Sequence, residues 1–413
     1  MTPKATATPT GARELLIAMQ TPAPGGRLGV PCLLLGDPGT GKTSYLEGLA
    51  RPGFAVVTLV GAISDPTDIG GLPVYDGAHK CVTFAPPEWL SILEEAREGG
   101  VLLLDDLTAS PPAVQSAMLR VVLERKVGWR SLPSTVRVVA AANPADRIAG
   151  GWAISPPLAN RFVHLAWGMS GTVLADAFSQ GAFAEASLPE IALRDHQASV
   201  SCWALLFAAF LRRDPSLVHT SPAEGEMAFA SPRTWEYAMR LAAACDLQGE
   251  APRPGCVRSG SNVFLNLLQG AVGSGAALAF MGFLKSLQLP DPDSILDGET
   301  INVSTLRDDE LYAVFAALAV RLVSRVGTAR QFLDWVSAVL TIAAQVNTEG
   351  RVDVIYAPMR QIARGQVLQR AANSAQQARR LEEFESLVSR VFSDTELAQY
   401  ITVLEGRRDG KSR

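Results

Sequence analysis

A glycine-rich octapeptide directly follows a short apolar run near the start of the chain. The run is Cys32-Leu33-Leu34-Leu35, and the octapeptide after it has the form G-x-x-x-x-G-K-[ST] with every fixed position filled. Its members are Gly36, Asp37, Pro38, Gly39, Thr40, Gly41, Lys42 and Thr43. An apolar run that ends in such a loop is typical of a buried parallel strand followed by a helix. The octapeptide therefore predicts a phosphate-binding loop between a strand and a helix.

The chemistry of a polyphosphate explains why these residue types occur at this spacing. Several backbone N–H groups must surround the anion at once, and only glycine allows the required φ values and closeness of approach. Lys42 is then expected to reach the β- and γ-phosphates, and Thr43 to offer its hydroxyl to Mg²⁺. The alternative is a glycine-rich turn that binds nothing, and the second site described next argues against it.

A second apolar run, residues 101–104, ends in the paired acids Asp105 and Asp106. This pattern indicates a central strand that brings carboxylates to the carboxyl edge of a sheet, where ligands of open α/β sheets bind. We expect Asp105 to hold the Mg²⁺ of a nucleotide and Asp106 to orient or deprotonate an attacking water. Asn143 follows a third strand-like run and is suited to bond a phosphate or that water. A solvated acidic turn and a simple Asn-Pro turn are the alternatives.

Length and composition limit the class of protein. The chain has 413 residues, enough for two or three domains, and 48% are hydrophobic. The net charge is −4, which argues against a protein coated in nucleic acid. The five cysteines are widely spaced and odd in number, so neither a zinc site nor a disulfide framework is indicated: Cys32, Cys81, Cys202, Cys245 and Cys256. We expect a soluble cytoplasmic protein with reduced thiols and no membrane segment.

The order of the segments predicts an α/β core followed by helices. Residues 54–59 form the next strand of a βαβ unit with a parallel sheet. Residues 71–84 then predict an inserted hairpin, and residues 127–133 predict a small loop or hairpin. The inserted hairpin is either a finger that touches a substrate or a surface elaboration. From about residue 168 onward the apolar spacing is helical, and residues 366–400 predict further charged helix.

Together, these segments resemble the MoxR-type branch of the AAA+ ATPases. The resemblance covers residues 28–167 and includes the octapeptide, the hairpin insert, the two aspartates, the Pro111-Pro112 segment, Asn143-Pro144 and Asn160-Arg161-Phe162. It implies a five-stranded parallel P-loop core, a helical lid, and ATP and Mg²⁺ as cofactors. It also implies a homo-oligomeric ring, commonly a hexamer, with active sites between neighbouring copies. The hairpin insert and the loop at residues 127–133 would face the pore or the substrate.

The resemblance also assigns roles to single residues. It makes Asn143 the sensor-1 residue and Arg161 the trans-acting arginine, for which Arg125 and Arg147 are rivals. Residues 230–235 are similar to the sensor-2 segment, with Arg233 at a helix start that can close onto the phosphates. A solvated charge at the helix end is the alternative for Arg233. The family usually has Glu where this chain has Asp106, and a carboxylate drawn back by roughly 1.5 Å predicts slow hydrolysis.

The predicted organisation has four parts. They are a flexible leader (1–10), an AAA+ nucleotide-binding core (11–167), a helical lid (168–250) and an all-α C-terminal region (251–413). The favoured function is a MoxR-like chaperone or activator: a ring ATPase that acts on a protein client, with a von Willebrand factor A-domain partner in some relatives. Nucleic acid is less favoured as a partner, because the pore-side candidates offer few basic or aromatic residues. An ATPase of a nucleic-acid-directed defence system and a slow nucleotide-dependent switch are the alternatives.

Overall fold

The structure is a computed structural model, and its described residues form two compact units. It describes residues 8–144, 151–180, 187–222, 226–252, 262–286, 290, 292–324, 327–364, 367–377 and 379–392. The first unit takes the chain up to His196, then Ser216–Pro252 and the residues up to Met281. The second takes Gln197–Pro215 and the residues from Gly282 onward. Arg147 and Cys256 lie outside the described residues. The domain boundaries at 167 and 250 stay predictions.

The strands belong to the first unit. In chain order they are β1 Pro22–Ala23, β2 Arg27–Leu28, β3 Cys32–Leu35, β4 Ala55–Val60, β5 Leu72–Asp76, β6 Cys81–Ala85, β7 Gly100–Asp105, β8 Lys126–Val127, β9 Arg130–Ser131, β10 Val136–Ala142 and β11 Val163–Ala166. Five of them form a parallel sheet in the order β11-β3-β10-β7-β4. The predicted five-stranded parallel core is confirmed.

The helices cover the sheet in the first unit and make up the second. In chain order they are α1 Ala12–Gln20, α2 Lys42–Glu47, α3 Pro66–Gly70, α4 Glu88–Glu95, α5 Pro112–Glu124, α6 Pro156–Ala159, α7 Gly171–Gln180, α8 Leu193–Arg213, α9 Pro232–Leu247, α10 Asn262–Val272, α11 Ser274–Ser286, α12 Pro292–Leu296, α13 Asp308–Ser324, α14 Ala329–Thr348, α15 Val352–Arg364, α16 Val367–Gln377 and α17 Leu381–Phe392. Two short 3₁₀ helices span Pro215–Val218 and Val303–Thr305.

The register of the sheet decides where the site forms. Val139 of β10 lies opposite Cys32 of β3 on one side and Leu103 of β7 on the other. β10 therefore separates the strand that enters the glycine-rich loop from the strand that ends in the acids. All three strands point the same way, so their carboxyl ends meet at one edge of the sheet. The strands are almost fully buried because both faces of a parallel sheet are covered.

Two antiparallel hairpins match the predicted insert and the predicted small hairpin, and β1 with β2 forms a third within the described residues. β5 pairs with β6, and β8 pairs with β9. The hairpins contact each other through an edge-to-face pair of Phe84 and Trp129, whose ring centroids are 6.4 Å apart. That pair makes one continuous surface of the two hairpins. Their pore-facing role stays a prediction.

The second unit has its own hydrophobic core. Fully buried side chains such as Phe315, Phe332 and Val336 fill it, and they come from α12 to α17. The charged helix predicted over residues 366–400 is divided in two where Arg379 takes a positive φ of 59°. No helix within the described ranges is both long enough and apolar enough to cross a membrane.

Candidate functional site

The glycine-rich loop folds tightly under a tryptophan. A Cβ on Gly36 would lie 2.4 Å from the backbone oxygen of Trp167, so no larger residue fits there. The indole Nε1 of Trp167 donates a hydrogen bond to the Thr40 oxygen at 3.1 Å. Gly41 takes a φ of 78° and caps α2, which begins at Lys42. The loop therefore has the backbone conformation that only glycine tolerates, at the place where the motif requires it.

Lys42 is buried, and its ammonium group points back into the loop. Its Nζ donates to the Gly36 oxygen at 2.7 Å, to the Asp37 oxygen at 3.0 Å and to Asn143 Oδ1 at 3.2 Å. Burial lowers the pKa of Lys42, and the nearby aspartates oppose that shift. Asn143 is thus brought to the loop as predicted. Oxygens of the chain hold the ammonium where phosphate oxygens can replace them.

Thr43 and Asp105 meet across the sheet edge. The hydroxyl of Thr43 donates to Asp105 Oδ2 at 2.6 Å, although 62 positions separate the two residues in the chain. Asp105 Oδ1 accepts from the backbone N–H of Asp106 at 2.9 Å, which fixes the carboxylate. Hydroxyl and carboxylate oxygens are the hard ligands that Mg²⁺ prefers, usually one or two from the protein with water and phosphates as the rest. This donor pair fits Mg²⁺.

Asp106 stands next to this pair in an uncommon backbone conformation. Its φ is 54°, in the left-handed region that Asp and Asn enter more readily than Glu. Partial burial and the charge of Asp105 raise the pKa of the Asp106 carboxyl, and Lys42 opposes that shift. The backbone thus offers a physical reason for aspartate at a position where the resembling family usually has glutamate.

The two predicted arginines lie beside each other. Arg161 and Arg233 repel each other, and both interact electrostatically with Tyr237 on α9. Asn160 links them, because its side chain bonds to the segment that starts α9. The electrostatic partners of Lys42 and Asp106 are acids and each other, and neither arginine is among them. The structure thus brings Lys42, Thr43, Asp105 and Asn143 together through hydrogen bonds, and Arg161 interacts with Arg233.

Arg125, the other described candidate for the trans-acting role, is hydrogen-bonded within its own chain. Its guanidinium is buried and donates to the backbone oxygens of Pro133 at 2.7 Å and Val136 at 2.6 Å. Burial lowers the pKa of Arg125 to about 10, and Arg27 adds to the shift. A side chain held in this way stabilises the loop before β10, and only 6% of Arg125 is exposed to a neighbour. This observation favours Arg161 over Arg125.

A cavity of about 450 Å³ opens beside the loop. Leu35, the residue before Gly36, lines it together with the start of α1 and residues of β11 and α10. Glu14 accepts a hydrogen bond from Asn266 Nδ2 at 2.7 Å, and Glu226 accepts one from the Ser274 N–H at 3.2 Å. Its size lies within the range of small-molecule sites. Sequence reasoning missed this cavity and Trp167. The sequence contains one local signal for them, which is an aromatic residue directly after a strand: Trp167 directly follows β11.

The fold and the site define an α/β protein with a five-stranded parallel sheet and a glycine-rich phosphate-loop sequence, together with a helical region. No protein-family model matches the chain. Over 123 residues, 27% of this chain, it is 36% identical to SfnR, a sigma54-dependent transcriptional regulator of Pseudomonas fluorescens. The match covers 32% of the regulator, so the chain spans about a third of that relative's length. A crystal structure of a candidate ATPase from Cytophaga hutchinsonii is 20% identical, with a TM-score of 0.37, over 59% of this chain and 77% of that one.

Proposed function

We propose that this chain is a Mg²⁺-dependent, ATP-hydrolysing AAA+ ATPase of the MoxR type that acts on a protein client. The observation that carries this proposal is the 2.6 Å hydrogen bond between Thr43 and Asp105, with Lys42 held next to them by Asn143. These residues come from the carboxyl ends of three parallel strands, where a nucleotide triphosphate is bound in such sheets. A turn that bound nothing would not require a buried lysine beside a pair of carboxylates.

Each side chain of the group has a role in this proposal. Lys42 exchanges its backbone partners for β- and γ-phosphate oxygens, and the loop N–H groups surround the anion. Thr43 and Asp105 hold Mg²⁺, which when bound supplies positive charge to the phosphate oxygens. Asp106 accepts a proton from the attacking water, and its raised pKa makes it a stronger base than an ordinary aspartate. Asn143 orients that water or the terminal phosphate.

The cavity beside Leu35 is the proposed place for the base and ribose. Its acidic side chains, Glu14 and Glu226, repel phosphate but accept hydrogen bonds from ring and exocyclic N–H groups. The cavity and the loop are adjacent in the chain through Leu35 and Gly36. The proposal therefore places the base in the cavity and the phosphates over Lys42.

The paired hairpins support a protein client over a nucleic acid. Their outer surface exposes the apolar or aromatic side chains of Leu72, Tyr75, Val82 and Trp129, and Tyr75 is 70% exposed. Of the basic residues there, Arg130 is already paired with Glu94. Lys80 and Lys126 are exposed as well, so the argument for a protein chain over a phosphate backbone is the exposed apolar surface between these charges. The proposal places these hairpins towards the pore of a homo-oligomeric ring, with a von Willebrand factor A-domain protein as the adaptor class.

Affinity capture tests this proposal. The Asp106→Asn protein, loaded with ATP and Mg²⁺, should retain a protein client, because it binds the nucleotide and does not turn it over. Lys42→Ala is the matched control and should lose both the nucleotide and the client. Capture of DNA or RNA, with hydrolysis that it stimulates in a salt-dependent way, would replace the protein client with a nucleic acid. A wild-type protein that binds no ATP would contradict the proposal as a whole.

The turnover rate has its own test in Asp106→Glu. A longer side chain advances the carboxylate towards the water, and a misplacement of about 1 Å can change a rate on the order of a hundredfold. We therefore propose slow turnover in the wild type and faster turnover in the variant, measured as phosphate release at saturating ATP. The variant should also unfold at a slightly lower temperature, because Glu is less suited than Asp to a φ of 54°. A fast wild type that the substitution leaves unchanged would contradict slow turnover.

A further inference from the structure

The segment that follows β11 packs against the glycine-rich loop. The Trp167 N–H donates to the Leu35 oxygen at 2.7 Å, directly before the loop begins, and Trp167 is only 4% exposed. A Cβ on Gly36 would lie 3.1 Å from the Cβ of Trp167. A Cβ on Gly41, near the other end of the loop, would lie 3.7 Å from Met169 Cε. Trp167 and Met169 are thus close to both ends of the loop.

The indole ring of Trp167 is held on several sides. It packs edge to face on the ring of Tyr45 from α2, with the centroids 5.0 Å apart. A Cβ on Gly11 would lie 3.8 Å from its Cε3. Its Nε1–H donates to the Thr40 oxygen at 3.1 Å, across 127 positions of the chain. The indole N–H is a donor only, so a fixed ring gives this hydrogen bond one direction.

The bond to Trp167 also sets the direction of the next N–H group in the loop. Thr40 and Gly41 share a trans peptide unit, which is planar, so its C=O and N–H point in opposite directions. Because the Thr40 oxygen faces the indole, the Gly41 N–H points away from it. That N–H has no hydrogen-bond partner within the described part of the chain. An oriented and unpaired backbone N–H in a glycine-rich loop is suited to an anion.

We propose that Trp167 is a positioning residue for phosphate binding: its indole N–H holds the peptide unit of Thr40 and Gly41 so that the Gly41 N–H is directed at the β-phosphate of a nucleotide. Trp167 acts through the loop and lies outside the glycine-rich motif. Without the bond, this peptide unit can rotate, since glycine has the fewest steric limits on φ. The loop would then lose conformational freedom when it binds phosphate, and its affinity would fall. This inference rests on the proposed nucleotide site and adds a residue to it.

Trp167→Phe tests the inference, because phenylalanine keeps an aromatic ring beside Tyr45 and lacks the N–H donor. ATP, ADP and AMP are titrated, each with Mg²⁺, against the full-length wild type and the variant. The affinities for ATP and ADP should fall about three- to tenfold in the variant, which is the size expected for one neutral hydrogen bond. The affinity for AMP should stay within about twofold, because AMP has no β-phosphate for the Gly41 N–H to bind.

Trp89→Phe is the matched control. Trp89 of α4 is also buried, at 8% exposure, and its Nε1 donates to a backbone oxygen, that of Asp68, at 2.8 Å. This variant loses the same kind of bond from an element that is not part of the loop. It should lose a similar amount of thermal stability and bind all three nucleotides as the wild type does.

Three results would contradict the inference, and they differ in what they leave standing. If Trp167→Phe binds ADP as tightly as the wild type, Trp167 has no role in phosphate binding, and the nucleotide site remains. Equal losses for ADP and AMP would also overturn the inference, because Trp167 would then act through the cavity that Gly11 lines. A wild type that binds neither ATP nor ADP would overturn the proposed function as well. Trp167→Leu provides a second variant without the donor, should Trp167→Phe fail to fold.

Discussion

The phosphate-loop group and the arginine pair differ in how their charges are balanced. Around the loop, Lys42 lies among three aspartates and donates to neutral oxygens, and Thr43 is bonded to Asp105. At the arginine pair, Arg161 and Arg233 lie next to a cation and no acid is recorded with them in the described ranges. The first group has more acids than bases, and each of its members has a partner within the same chain.

This difference separates binding from turnover. A group whose buried charges have partners stays folded without its ligand. A repulsive pair gains most when an anion arrives from outside, and in the proposed ring the nucleotide of a neighbouring copy would be that anion. Variants in the loop should therefore change nucleotide affinity in a single copy. Variants of the pair should change only what an assembled protein does.

Replacement of Lys42 should have the largest effect. Lys42→Ala removes the ammonium that faces the phosphates and leaves Asp105 and Asp106 without their cation, so the acids repel the anion. We expect ATP affinity to fall by at least about a hundredfold, which corresponds to roughly 3 kcal/mol. Isothermal titration of the wild type and the variant with ATP and Mg²⁺ checks this. Lys285→Ala, at an exposed lysine of α11, is the control and should bind normally. Retained affinity in Lys42→Ala would mean that the loop is not the phosphate site.

Asp106→Asn should come next, with a loss of turnover and no loss of binding. The amide has the shape of the carboxylate and tolerates the same positive φ, but it cannot accept a proton from water. A general base contributes on the order of a hundred- to ten-thousandfold, so phosphate release should fall by at least a hundredfold. ATP affinity should stay within about threefold of the wild type, in contrast with Lys42→Ala. An unchanged rate would assign the base to another residue.

The sequence predicts the phosphate-loop group more fully than it predicts the arginine pair. The loop and the aspartates follow from local patterns, because glycine spacing and a strand that ends in acids are consequences of short-range backbone chemistry. Parallel strands then bring Thr43 and Asp105 together without further information. The arginine pair is different. Its members were assigned by resemblance, and their segments are joined by the bond between Asn160 and Ser231, 71 positions apart, which no local pattern encodes.

Two further details show where sequence reasoning fails. Arg125 looks equivalent to Arg161 in the sequence, yet the folded loop before β10 surrounds its guanidinium with backbone oxygens. The cavity beside Leu35 is lined by α1, β11 and α10, and its shape depends on how these elements pack. In the sequence, Asp106 is a departure from the glutamate that is usual in the family the chain resembles. The positive φ at this position explains it, because Asp adopts that conformation more readily than Glu.

The pH dependence of turnover should show a smaller effect, and again only in the loop group. The pKa of Asp106 is raised by burial and by Asp105, so the base is protonated at a higher pH than an ordinary aspartate. Turnover should therefore fall as the pH drops through that raised value, by about tenfold per unit below it. The folded protein also binds this proton more tightly than the unfolded chain, so Asp106→Asn should not lower the melting temperature at neutral pH. The measurement is the rate of phosphate release at saturating ATP from pH 8 to pH 4.5, within the range where the protein stays folded. It checks the predicted fall in rate at acidic pH. A flat profile would contradict a proton transfer to Asp106.

The smallest effect should come from Asn160, which positions the arginine pair without touching the nucleotide. Asn160→Ala removes the bonds to the Phe229 oxygen and to Ser231 Oγ, each worth about 1 kcal/mol, so Arg161 and Arg233 lose part of their fixed spacing. We expect kcat of the assembled protein to fall about three- to tenfold, with the affinity of single copies for ATP unchanged. Asn302→Ala, which removes a similar side-chain bond to the Ser304 N–H in the second unit, is the matched control. A merely structural role of Asn160 predicts equal losses of stability in both variants and no selective loss of kcat.

If Asn160→Ala weakened ATP binding in single copies, the arginine pair would belong to the same site as Lys42, and the contrast between the two groups would fail.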